Sequence, residues 1–169
     1  DRLMVFFADN LVFILVLFSL LWATTALEAQ GGHLLNRYLK LMMTSFAFGI
    51  GVSWLIGWLL PNPRPIVRFK RVRQLLEPFS TWKSFPSDHT IGSFTVASIT
   101  LIMGAPVWLV AILYLMACAV AVGRVYVGVH EPRDILGGLV IAGIFSFTSP
   151  MLLAYITEPM YQFVMTLFV

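Results

Sequence analysis

Apolar runs of about bilayer length, joined mostly by short links, constrain this chain more than any other feature. A transmembrane helix needs roughly 20 largely apolar residues, and Leu3–Leu27, Leu41–Leu60, Thr90–Met103, Val107–Val122 and Ile135–Ile156 meet or approach that length. The first run is interrupted only by Asp9 and Asn10 near its start. The third is short unless Pro86–His89 opens it, and Gly104-Ala105-Pro106 joins it to the fourth as a tight antiparallel hairpin. The fifth carries Gly137, Gly138, Ala142 and Gly143, small residues that let neighbouring helices approach closely. After Glu158-Pro159 the last ten residues read as a short terminal helix suited to the membrane interface.

The expected fold is therefore all-α: one integral membrane bundle over residues 1–169, with about five transmembrane helices, or six with the terminal one. Composition agrees. Hydrophobic residues make up 59% of the chain and charged residues 11%, where soluble domains run near 45–50% and about 25%. Leu3–Ala26 has the length of a full span rather than of a signal sequence, so it is expected to be retained, and the start at Asp1 suggests that a further segment precedes it. The lone Cys118 lies inside an apolar run, which excludes a disulfide framework and a thiolate metal cluster. A net charge of +3 concentrated at a membrane boundary does not make the basic face that nucleic acid requires.

Polar residues collect in two places, the long connection from Pro61 to His89 and the short one from Gly123 to Asp134. The intervening hairpin returns the chain to its starting side, so both connections fall on one membrane face. The long one opens with Pro61-Asn62-Pro63-Arg64-Pro65, where prolines fix the backbone around Arg64 at the boundary, and guanidinium can grip phosphate oxygens there. Ile66–Leu76, with Arg68, Lys70, Arg71 and Arg73, fits a basic amphipathic helix lying on anionic headgroups. A solvated or lipid-binding face accounts for Lys70, Arg71 and Arg73 as well.

Pro86-Ser87-Asp88-His89 precedes an apolar run as a helix N-terminus does, with Ser87 as the cap. Backbone N–H groups there favour an anion, and His89 in the first turn can donate a proton to a leaving oxygen. Arg124, His130 and Asp134 form the spacing R-x5-H-x3-D. Pro132 suits the first helical position, which puts Asp134 within reach of His130. A carboxylate on one imidazole nitrogen leaves the other free as a nucleophile, and Arg124 can neutralise the phosphate oxygens. A buried Arg124–Asp134 ion pair that only locks two helices is the structural reading of the same spacing.

Taken in order on one face, Arg64-Pro65, Pro86-Ser87-x-His89 and Arg124-x5-His130-x3-Asp134 resemble the signature of the type-2 phosphatidic acid phosphatase superfamily: K-x6-R-P, P-S-G-H and S-R-x5-H-x3-D. The resemblance covers roughly Pro61 to Gly138. It implies a lipid phosphatase in which His130 is the nucleophile that forms a phosphohistidine, Asp134 its orienting partner and His89 the general acid. It implies further that Arg64, Arg124 and Ser87 cradle the phosphate and that neither metal nor cofactor is needed.

The chain departs from that pattern in three positions. Gly57 stands where the first-motif lysine is expected, leaving Lys83 and Arg68 as candidate phosphate-binding cations. Gly123 replaces the third-motif serine. Asp88 replaces the glycine of the second motif, which is unfavourable beside a polyanion unless a lysine or arginine pairs with it. With Phe85-Pro86-Ser87-Asp88-His89-Thr90, the departures resemble the bacitracin-resistance type of undecaprenyl pyrophosphate phosphatase. That branch implies conversion of undecaprenyl pyrophosphate to undecaprenyl phosphate; phosphatidylglycerophosphate, phosphatidic acid and lipid A phosphatases share the machinery.

All lysines and arginines except Arg37 and Lys40 fall on the motif face, which by the positive-inside rule would be cytoplasmic. A phosphate site demands many of those charges, and the resemblance implies a bacterial inner-membrane protein with its site facing outward. The expected partners are the lipid (pyro)phosphate and membrane lipids; the sequence does not specify an oligomeric state. A non-catalytic protein that holds or transports anionic lipids would need the arginines but not a nucleophilic His130.

Overall fold

In the computed structural model, residues 1–69, 72–73 and 75–167 are described, and among them the chain is all-helical apart from one isolated bridge between Asn62 and Lys83. The helices are α1 (Arg2–Asp9), α2 (Leu11–Trp22), α3 (Gly32–Leu59), α4 (Pro65–Arg68), α5 (Asp88–Ile102), α6 (Val107–Tyr126), α7 (Pro132–Leu152) and α8 (Glu158–Thr166). Gly32–Leu59, Val107–Tyr126 and the continuous helix Pro132–Thr166 are long and apolar enough to cross a membrane, and the bent pair Arg2–Asp9 and Leu11–Leu27 makes a fourth.

Helix α5 is the hub, packed against α2, α3, α6 and α7. Its 15 residues rise only about 22 Å, short of a hydrocarbon core of roughly 30 Å. Because it sits inside the bundle, it is not held to lipid-facing apolarity. Thr90, Ser93, Thr95, Ser98 and Thr100 are all buried. Ser93 and Thr100 donate back to the carbonyls of His89 and Val96, and Ser98 bonds Tyr114 of α6 at 2.9 Å. The expected hairpin to α6 is present, turned by Gly104 at φ +80° and Pro106.

Three expectations about helix extent are revised. The first apolar run is not one straight helix, since it bends by 49° at Asn10 between α1 and α2, where Asp9 and Asn10 are weak helix formers. The terminal helix is not separate either. A π-helical turn over Leu153–Thr157 carries α7 into α8, shifting the hydrogen-bond register just where Pro159 would break an α-helical ladder. Helix α3 begins at Gly32, nine residues before the expected Leu41. Its polar first turns are tied down by Lys40, paired with Glu158 at 2.7 Å, and by the fully buried Tyr38.

Among the described residues of Ile66–Leu76, where an amphipathic helix is expected, only residues 66–68 are helical. Helix α4 stops at Arg68 and Phe69 is extended; Lys70 and Arg71 lie outside the described residues. Leu75 and Leu76 pack instead on the buried Ala8, Val127 and Val129. Leu75 and Leu76 are thus drawn onto the protein, whereas Val67 and Phe69 stay exposed. Helix packing elsewhere depends on small residues. A Cβ at Gly138 would stand 2.9 Å from the Ser87 carbonyl oxygen, so α7 meets the start of α5 at backbone distance, whereas Gly143 faces open space. Cys118 is exposed on the outer surface of α6.

Candidate active site

At the end of the bundle where α3 finishes and α5 and α7 begin, Arg64, His89, Arg124 and His130 line one cavity of about 360 Å³. His130 is placed by the short connection from α6 to α7. Val127 and Val129 are buried anchors on either side of Gly128, whose φ of +79° is one that glycine adopts without penalty. The turn brings the His130 N–H back to the Arg124 carbonyl at 3.3 Å.

The His130 ring is held from both edges. Nδ1 lies 3.5 Å from Asp134 Oδ2 and Nε2 lies 3.1 Å from Arg64 Nη1. A guanidinium can only donate, so Nε2 must present its lone pair to Arg64. The proton of the neutral ring then sits on Nδ1, facing the carboxylate. Burial pushes His130 down to about 4, and the Arg64 and Arg124 charges oppose protonation further, against the pull of Asp134. At ordinary pH the ring is therefore a neutral base whose one lone pair, on Nε2, is held by the Arg64 guanidinium.

Asp134 is fully buried at the third position of α7, with Pro132 at the first. Its Oδ2 accepts from the Glu131 N–H at 2.8 Å, completing a capping box, and from the Ser84 hydroxyl. The carboxylate that starts the helix is the same one that orients His130. Ser84 is buried and had no motif to announce it.

Arg64 is buried, and three contacts fix it: Nε donates to the Ser80 carbonyl at 2.6 Å, and Nη1 reaches the Val129 carbonyl and His130, each at 3.1 Å. Burial lowers its pKa, yet a guanidinium stays charged at any ordinary pH. Arg124 is buried at the last turn of α6; Nη1 donates to the Ala8 carbonyl at 3.3 Å, while Nε has no partner among the described residues.

The remaining expected residues sit around this core rather than in it. Ser87 caps α5, its hydroxyl accepting from Thr90, and it is wholly buried beneath the cavity. Arg68 does not line the cavity; it is bonded to Asn62 and paired with Glu131 at 3.1 Å. Lys83 does not line the cavity; its Nζ donates to the Pro86 carbonyl at 3.1 Å and pairs with Asp88 at 2.7 Å. Asp88 does line it, and accepts from Ser53 as well. The pairing that a carboxylate at this position requires is thus present. Burial lowers the pKa of Lys83 and the charge of Asp88 opposes that shift.

Two ionisable cavity residues, Asp9 and Glu77, were not anticipated as part of a site. Asp9, at the end of α1, places Oδ1 3.8 Å from His89 Nε2 and 3.8 Å from Arg124 Nη1. The available signal was an ionisable residue inside an otherwise apolar run, which is seldom idle.

The sequence profile described as the PAP2 superfamily matches residues 37–158. The chain belongs to that superfamily. YbjG of Escherichia coli strain K12, provisionally named an undecaprenyl-diphosphatase, is 29% identical over 95% of this chain and 77% of its own length. The undecaprenyl-diphosphatase BcrC of Bacillus subtilis strain 168 is 34% identical over 59% of this chain, which spans about half of it (49%). Among solved structures, the crystal structure of Aquifex aeolicus LpxE superposes with a TM-score of 0.63 at 25% identity, covering 89% of this chain and 93% of that one.

Proposed function

We propose that the protein is a membrane lipid phosphatase that removes the terminal phosphate of a lipid diphosphate, undecaprenyl diphosphate in the first place, through a phosphohistidine on His130. The observation that carries this is the setting of the His130 ring, with Arg64 on Nε2 at 3.1 Å and Asp134 behind Nδ1 at 3.5 Å. A merely anion-binding pocket has no use for an imidazole held neutral between a carboxylate and an arginine, its Nε2 lone pair released for attack once Arg64 turns to the phosphate. The names of YbjG and BcrC support undecaprenyl diphosphate over the other lipid phosphates.

In the first step His130 Nε2 attacks the terminal phosphorus, the bond to the bridging oxygen breaks, and His89 gives its proton to that leaving oxygen. In the second, water attacks the phosphohistidine and loses a proton to His89. The phosphorus–nitrogen bond breaks, inorganic phosphate leaves, and both histidines return to their starting states. Arg64 and Arg124 carry the phosphate charge through both steps, so the reaction proceeds without a metal.

Trp54, Leu76, Pro78 and Phe79 form an apolar flank of the cavity, which suits a lipid chain running from the reacting phosphate into the bilayer. Five helical segments in the membrane fit this placement, with α5 reaching only part of the way across. On the strength of the resemblance, the site faces the outer side of a bacterial inner membrane.

The test is phosphate release in detergent and chelator from undecaprenyl diphosphate, phosphatidylglycerophosphate, phosphatidic acid and lipid A, by the parent and by His130→Ala. Chelator-resistant release that vanishes in the variant, with an acid-labile phosphoryl adduct trapped on the parent, is the expected result. A His130→Ala protein as active as the parent would leave only the lipid-binding reading.

A further inference from the structure

Asp9 comes from outside the part of the chain that the superfamily profile matches, residues 37–158, yet it lines the cavity beside His89 and Arg124. Two independent features bring it there. The chain bends by 49° at Asn10, so α1 crosses the end of the bundle while α2 descends into it. Helix α6, in turn, offers α1 a bare backbone at Gly123. A Cβ at that position would come 2.8 Å from the Ala8 nitrogen and 3.1 Å from its Cα. The Ala8 side chain is fully buried, and its carbonyl accepts from Arg124. The replacement of serine by Gly123 is thereby explained: it admits the helix that carries Asp9.

We infer that Asp9 is a positioning residue for His89, the carboxylate that holds the general acid's imidazolium over the leaving oxygen as Asp134 holds the nucleophile. The charged and titratable groups that line the cavity with His89 are Asp9 from α1, Arg124 from α6, Arg64, Glu77 and His130 from the two connections, and its neighbour Asp88. Both arginines repel a proton from His89. Asp88 is paired with Lys83, and Asp9 is the carboxylate that lies against the imidazole edge, with Oδ1 3.8 Å from Nε2. At 3.8 Å it is beyond a hydrogen bond, as catalytic contacts commonly are before substrate tightens the site. In the first step the proton passes from His89 to the leaving oxygen; in the second it comes back from water, and Asp9 stabilises the imidazolium that reforms.

The inference rests on the catalytic reading of His89 and His130 and can fail without it. Aryl phosphates whose leaving oxygens differ in basicity separate the two: phenyl phosphate requires the proton far more than 4-nitrophenyl phosphate does. Asp9→Asn is expected to lower kcat/KM, which reports the leaving-group step alone, about tenfold on phenyl phosphate and less than about threefold on 4-nitrophenyl phosphate. It should also move the alkaline limb of the kcat profile to lower pH, and Asp9→Glu should restore both. His89→Asn is expected to show the same substrate pattern more strongly. If Asp9→Asn is as active as the parent, or loses both substrates equally, Asp9 is a rim charge or a fold contact and the inference is wrong. If His89→Asn shows no leaving-group dependence, or His130→Ala keeps its activity, the catalytic reading itself falls.

Discussion

The stem of Lys83 lies against Gly57, so close that a Cβ on the glycine would come within 2.7 Å of Lys83 Cδ and 2.8 Å of Cγ. The superfamily pattern expects its lysine at position 57, and here a lysine from a different segment fills the space beside that position. Its ammonium is turned to Asp88. Lys83→Met should therefore leave the Asp88 carboxylate uncompensated beside the substrate phosphates and raise KM by about tenfold, or roughly 1.4 kcal/mol. The double variant Lys83→Met/Asp88→Asn should recover most of that loss. A cycle of the four proteins checks this; equal impairment of single and double variants would mean that Lys83 grips phosphate itself.

Arg64 does two things that lysine cannot. Its Nε is committed to the Ser80 carbonyl while Nη1 holds the Val129 carbonyl and His130, which only a planar fork can manage together. Arg64→Lys should keep the positive charge and the fold but lower kcat by about a hundredfold, in line with loss of one pre-positioned donor. Measured kcat and thermal midpoint should therefore diverge, with kcat falling and the midpoint nearly unchanged.

The pH profile follows from His130, whose pKa is lowered to about 4 by burial. Below that value the ring is protonated and cannot attack; above it the nucleophile is fully available, so the acid limb of kcat/KM should lie well below the 6.5 of an ordinary histidine. Asp134→Asn removes the group that favours the imidazolium, which must lower the pKa further and move the limb to still lower pH. It also frees the tautomer, so the plateau should drop even as the limb shifts. Ser84→Ala, which removes one donor to Asp134, should instead let the carboxylate pull harder on His130 and move the limb upward. A limb at or above 6.5 in the parent would contradict this assignment.

The parts of the site that could be read from the sequence are those whose partners lie a few residues apart or at the ends of long apolar runs. His130 and Asp134 are four apart across a helix start, and topology alone brings Arg64, His89 and Arg124 to their end of the bundle. Ser53 and Asp9 escaped because each enters from a segment with no local spacing to the motifs, and Ser84, two residues before Pro86, because its partner Asp134 lies 50 residues further on. For the fold, apolarity located α2, α3, α6 and α7 but misjudged their ends. Helix limits are set by hydrogen bonding and pairing, as at Lys40 and Glu158, and a π-helical turn passes Pro159 where sequence rules expect a stop. The stretch after Arg68 was misread because amphipathicity fits both a lipid surface and a protein one, and the apolar contacts of Leu75 and Leu76 decide for the latter.

Gly123 offers the sharpest test of how the first helix serves the site. Restoring the serine of the superfamily pattern, Gly123→Ser, puts a Cβ 2.8 Å from a backbone nitrogen, a group that cannot rotate away as a side chain tip can. Helix α1 must shift, and with it the Ala8 carbonyl that Arg124 holds and the Asp9 carboxylate between Arg124 and His89. Overpacking of this kind typically destabilises by about 1–3 kcal/mol, so the thermal midpoint should fall together with kcat. Gly123→Ala should do nearly the same, since the clash begins at Cβ and the hydroxyl is incidental. Asp9→Asn, by contrast, leaves the Gly123–Ala8 contact untouched and should lower kcat with no change in the midpoint. If Gly123→Ser were as stable and active as the parent, α1 would not be docked on α6 as described, and the placement of Asp9 in the site would fall with it.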